Sequence, residues 1–81
     1  MLKKSEPRGI SIEVVRLLTA ERIRRGISMN RLAEKSGLSQ SMISLLERGM
    51  RSPTLDTLLR VAIALDVDLS KLLKKASKRV K

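Results

Sequence analysis

Residues 29–48 read MNRLAEKSGLSQSMISLLER, and this stretch decides the fold. Two short runs with helical apolar spacing flank Ser36-Gly37-Leu38-Ser39. Gly37 supplies the positive φ that a tight inter-helix turn requires, and Ser39 offers a side-chain oxygen to the unpaired amides of the next helix. Leu32, Leu38, Ile43 and Leu46 fall on the inward side, and Ala33 lies where the two helices cross and a larger side chain would push them apart. The second helix is left with an outward face of Gln40, Ser41, Ser44 and Arg48, with Leu45 beside them. A helix, glycine turn and helix of this size form a unit that can sit in the major groove of DNA.

The same punctuation extends outward. Gly26, Gly37 and Gly49 each close a helical pattern, and Ser28, Ser39, Thr54 and Asp68 follow as N-cap candidates, with Pro53 blocking continuation into Thr54. This predicts an all-α, compact five-helix domain with helices at about 11–25, 29–36, 40–48, 55–65 and 69–75. Helices this short are not stable alone and must pack on one another. In the first, Val14, Leu18 and Arg22 share a face flanked by Val15 and Leu17. In the fourth, Leu55, Leu58, Ala62 and Leu65 form the expected core stripe, with Val61 at its edge. Leu59 and Ile63 fall off that stripe and, with Val67, form the expected dimer interface.

Composition narrows the chemistry. The 81 residues contain no cysteine, histidine, phenylalanine, tyrosine or tryptophan. Thiol chemistry, disulfides, the usual zinc sites, imidazole-based triads and aromatic base-stacking platforms are therefore excluded. The acids are dispersed, the four glycines form no phosphate-cradling loop, and Asp66 and Asp68 are placed to end one helix and cap the next. The expectation is of no enzyme, no metal and no cofactor. Eighteen Lys and Arg against eight Asp and Glu give a net charge of +10, of which residues 71–81 carry +6 and residues 1–8 carry +2. Such a balance favours polyanions, most often nucleic acid. The longest apolar run, Val61 to Leu65, is far short of a membrane span, and a soluble cytoplasmic protein is expected.

The ordered series Arg22, Gly26-Ile27-Ser28, Leu32-Ala33, Ser36-Gly37-Leu38-Ser39, Ile43-Ser44, Glu47-Arg48-Gly49, Arg51-Ser52-Pro53, Leu55, Leu58, Ala62, Leu65-Asp66-Val67 and Leu72-Leu73 resembles the lambda-repressor/Cro-like helix-turn-helix family, also called the XRE family, over about residues 14–73. The resemblance implies a basic flexible arm at 1–9, a DNA-binding domain at 10–74 with its helix-turn-helix at helices 2 and 3, and a Lys-rich tail at 75–81. It implies a third helix that reads base edges through Gln40, Ser41, Ser44 and Leu45. Gln40 leads, because one amide can donate and accept together at the N6 and N7 edge of adenine. Ser39, Arg48, Arg51, Met29 and Lys35 are the implied phosphate contacts, and Arg22 and Glu47 are implied to pair across the first and third helices in a structural role. Three positions depart from the family pattern: Met29 replaces a polar phosphate-binding residue, Arg31 replaces a common acid, and Leu45 stands where a polar or basic base reader is frequent.

The function these residues imply is that of a sequence-specific, double-stranded-DNA-binding transcriptional regulator. It is expected to act as a homodimer on a pseudo-palindromic operator, in the manner of a phage repressor or a restriction-modification controller. The alternative is a protein-interaction module, such as an antitoxin-type partner, that works through Met29, Leu45, Leu59 and Ile63. Leu69, Leu72 and Leu73 are expected to finish the core, with the residues after them a frayed cationic tail, in preference to a basic amphipathic helix on a membrane surface.

Overall fold

The helices between the chain ends start where side-chain oxygens satisfy their orphaned main-chain amides. The computed structural model describes residues 7–80, which form α1 (Pro7–Arg24), α2 (Met29–Ser36), α3 (Gln40–Glu47), α4 (Leu55–Ala64) and α5 (Leu69–Val80). The side chains of Ser28, Ser39 and Thr54 accept from the amides of Arg31, Met42 and Thr57, each at 3.0 Å. Asp68 Oδ1 accepts from the Ser70 amide at 3.0 Å and from the Ser70 hydroxyl at 2.6 Å; the hydroxyl first, then the amide, lowers the pKa of its carboxyl. Three of the four breaks repeat one device: a left-handed residue, a half-buried apolar residue, then a cap. These are Gly26-Ile27-Ser28, Gly37-Leu38-Ser39 and Asp66-Val67-Asp68. The apolar residue's amide reaches back to Arg22, Ala33 or Ala62, so each stop also anchors the next helix to the core.

The core is one cluster built from every helix. Val14 and Leu18 of α1, Leu32 and Ala33 of α2, Ile43 of α3, Leu58, Val61 and Ala62 of α4, Leu65 at its C-cap, and Leu69 and Ala76 of α5 are buried together. α5 lies mainly along α1, while α2 packs on α3 and α4. At the helix-turn-helix bend a Cβ on Gly37 would meet the Arg60 guanidinium at 3.3 Å; Arg60 is itself held by Asp56 at 2.8 Å.

The structure changes four expectations. Leu73, expected with Leu69 and Leu72 to finish the core, is exposed and lies outside the core cluster. α1 is already helical at Pro7, ahead of the expected start near residue 11. Pro7, Arg8 and Gly9 are thus helical, and residues 1–6 of the expected arm lie outside the described residues. α5 does not fray after residue 75. It continues through Val80 because Ala76, at 0% exposure, inserts into the core, and Arg79 Nη1 lies 3.3 Å from Glu13 Oε2 on α1. That buried oxygen accepts no hydrogen bond among the described residues, so the contact is one of charge alone. Leu55, expected in the core stripe, is 63% exposed. Its spacing of four to Leu59 and of four again to Ile63 places it on the outer stripe instead.

Asp66 adopts φ 57°, the one left-handed non-glycine among the described residues, and puts a carboxylate at the negative end of α4. Asp66→Gly relieves both costs and is expected to raise stability by about 0.5–1 kcal/mol, whereas Asp66→Val lowers it. Urea denaturation of the two variants beside the parent protein measures both signs.

Candidate nucleic-acid interface

The outward flank of α3 follows from the burial of its other side. Ile43 and Leu46 are buried, which turns Gln40, Ser41, Ser44, Leu45 and Arg48 around one open concavity lined by no other element. Gln40, Ser41 and Arg48 are exposed, and Ser44 and Leu45 are half-buried. Ser39 spends its oxygen on the Met42 amide and keeps its O–H free to donate outward. The amides of Gln40 and Ser41 precede the first helical bond of α3, Ile43 N–H to the Ser39 carbonyl at 3.1 Å, and so have no helical acceptor. Met29 and Asn30 hold the same position in α2, ahead of the Leu32 N–H bond to the Ser28 carbonyl at 2.9 Å.

Other expected site residues fall in different surroundings. Met29 packs its half-buried side chain against the core, so what it can offer a phosphate is its main-chain amide. Lys35 is exposed on α2, and Arg51 is exposed in the turn after α3. On α4, Leu59 is 41% and Ile63 75% exposed, while Val67 turns inward against the core.

One ion pair fixes the angle of α3. Arg22 Nε donates to Glu47 Oε2 at 2.7 Å, Nη2 donates to Oε1 at 3.0 Å, and Nη1 donates to the Ile27 carbonyl at 2.7 Å. Both side chains are only 12% exposed. A single guanidinium therefore joins the end of α1, the turn into α2 and the end of α3. The planar fork makes this possible; a lysine there has no equivalent geometry.

The charges divide into those already engaged and those left over. Arg16, Arg22, Arg24, Arg25, Arg31, Arg60 and Arg79 each lie against a carboxylate. The Glu21 carboxyl is held down to about 2 by its hydrogen bonds to Arg24 and then Arg25, so it stays charged at neutral pH. Arg8, Arg48 and Arg51 have no carboxylate partner among the described residues. Sequence reading identified Arg48 and Arg51 but assigned Arg8 only to a flexible arm; the signal that could have placed it is Pro7 opening a helix.

Comparison with known proteins gives one consistent answer. A family model described as Helix-turn-helix matches residues 18–72. The HTH-type transcriptional regulator SutR of Escherichia coli is 45% identical over 49 residues, 60% of this chain and 28% of that protein. The HTH-type transcriptional regulator SlrR of Bacillus subtilis is 40% identical over 58 residues, 70% of this chain and 38% of that protein. An uncharacterized HTH-type transcriptional regulator of Haemophilus influenzae is 34% identical over 62 residues, 76% of this chain and 63% of that protein. The chain thus spans only about a third of the length of SutR and SlrR.

Removing Glu47 strands the Arg22 charge in a half-buried site. Glu47→Ala is expected to cost about 3 kcal/mol. Chemical denaturation measures it, and a loss below about 1 kcal/mol would remove the pair from its structural role.

Proposed function

The chain belongs to the lambda-repressor/Cro-like helix-turn-helix family, and from that premise we propose that it is a sequence-specific double-stranded-DNA-binding transcriptional regulator acting as a homodimer on a pseudo-palindromic operator. The observation that carries this reading is the uncovered polar flank of α3, held outward by the burial of Ile43 and Leu46 and by the Arg22–Glu47 pair. Membership of a DNA-binding family supports a cytoplasmic protein. No helix among the described residues is long and apolar enough to cross a membrane.

The mechanism has an unspecific and a specific part. Lysine and arginine displace counterions from phosphates, which makes affinity fall steeply with salt. Arg48, Arg51, Lys35, the Ser39 hydroxyl and the free amides of α2 and α3 fix the register on the backbone without reading sequence. Gln40 reads adenine through two hydrogen bonds, Leu45 meets a thymine methyl, and Ser41 and Ser44 add short-range donors with little base preference. With so few strong readers, DNA shape supplies part of the specificity. Two subunits joined through the exposed apolar stripe of α4 set half-sites about 34 Å apart, one helical turn. Leu55 extends that stripe beyond Leu59 and Ile63. The same stripe favours the second reading, a protein-interaction module of the antitoxin type, and DNA binding separates the two.

Selection of binding sites from random duplexes is expected to yield a two-fold symmetric consensus. Gln40→Ala should then relax preference at one base pair per half-site, costing about 1–3 kcal/mol there, with binding to unrelated DNA preserved. No enrichment of any sequence by the parent protein would favour the second reading. In equilibrium sedimentation the parent should populate dimers that Ile63→Asp converts to monomers; monomers alone at high micromolar concentration, with and without DNA, would end the dimer proposal.

A further inference from the structure

Among the described residues, the arginines without a carboxylate partner, Arg8, Arg48 and Arg51, lie in or beside one cleft. Arg48 and Arg51 lie in the turn that ends α3, and Arg51 and Arg8 line the same cleft, of about 90 Å³, between that turn and the first turns of α1. Ser11 and Ser52 add hydroxyl donors to its wall, and Arg16 adds a third guanidinium. Ile12, Val15 and Met50 add apolar surface to the lining. Glu47 also borders it, but both of its oxygens are taken by Arg22. Charge of one sign above low-dielectric walls focuses the potential on an incoming anion.

We propose that this cleft takes a backbone phosphate of the same duplex whose major groove α3 enters, with Arg8 as the contacting side chain, so that the footprint extends beyond the helix-turn-helix onto α1. The inference rests on the DNA-binding reading above and deepens it. A helix seated in the major groove has sugar–phosphate strands passing both of its ends. The strand at the C-terminal end of α3 meets the Arg48–Arg51 turn, and the cleft opens directly beside that turn. Arg24, Arg25, Arg31 and Arg60 must break an existing ion pair to reach a phosphate, and Arg8 has none to break among the described residues. Its fork of donors matches two phosphate oxygens at once.

The test is the salt dependence of binding to a selected operator and to an unrelated duplex, for the parent protein, Arg8→Ala, Arg8→Lys and Lys74→Ala. Arg8 is exposed, and matching thermal melts establish that the variants are folded. Arg8→Ala is expected to weaken binding to both duplexes equally, about five-fold at 0.15 M salt, and to lower the slope of log K against log salt by about 1. Arg8→Lys should restore the slope, and Lys74→Ala, on α5 outside the cleft, should leave it unchanged. An unchanged slope for Arg8→Ala, with operator binding intact, overturns the proposal and leaves the cleft to an acidic protein segment. An equal drop for Lys74→Ala also overturns it, because net charge then explains the effect. Absence of salt-dependent duplex binding by the parent overturns both this proposal and the reading beneath it.

Discussion

The orientation of α3 depends on one guanidinium. Arg22 is nearly enclosed and makes three hydrogen bonds, to both oxygens of Glu47 and to the Ile27 carbonyl. Neither charge has water enough to be comfortable alone, so each holds the other in place. The apolar contacts of Ile43 and Leu46 press α3 against the core, but nondirectional burial leaves the helix free to roll. The two-pronged bond removes that freedom. Gln40, Ser44 and Arg48 face outward together only while α3 presents this flank and not another.

Around that fixed point, the chain economises on connections. A left-handed residue, an apolar residue and a cap turn the chain in three positions at a cost of three residues each. Because the middle residue of each triplet is half-buried, the turns are also packing elements, and helices of eight residues survive without long loops. Two of these triplets use glycine and one uses aspartate, which bears a strain the others avoid.

Electrostatics supply what the small core does not. The positive charge is unevenly engaged: arginines on the exposed helix faces carry their own acids, whereas Arg8, Arg48 and Arg51, and the lysines of α2 and α5, have no carboxylate partner among the described residues.

The sequence alone determined the features that are local or periodic. The Arg22–Glu47 partnership is what the family resemblance implies, while turn glycines, caps and apolar spacing specify five helices and their order. Each of these is a property of a few adjacent residues or of a repeat along one helix. Only the tertiary structure decided what depends on a neighbour distant in the chain. Ala76 reads as part of a cationic tail until α1 is there to bury it, and α5 extends because that burial offsets the entropy of ordering its last turns. Leu55 sits at the margin of its helix stripe, where a shift of a few tens of degrees in packing separates core from solvent. Arg8 and Arg51 are 43 positions apart and share a cleft only because α1 and the end of α3 are folded against each other. Side-chain environment at such places is set by which helices meet, and no window of sequence contains both.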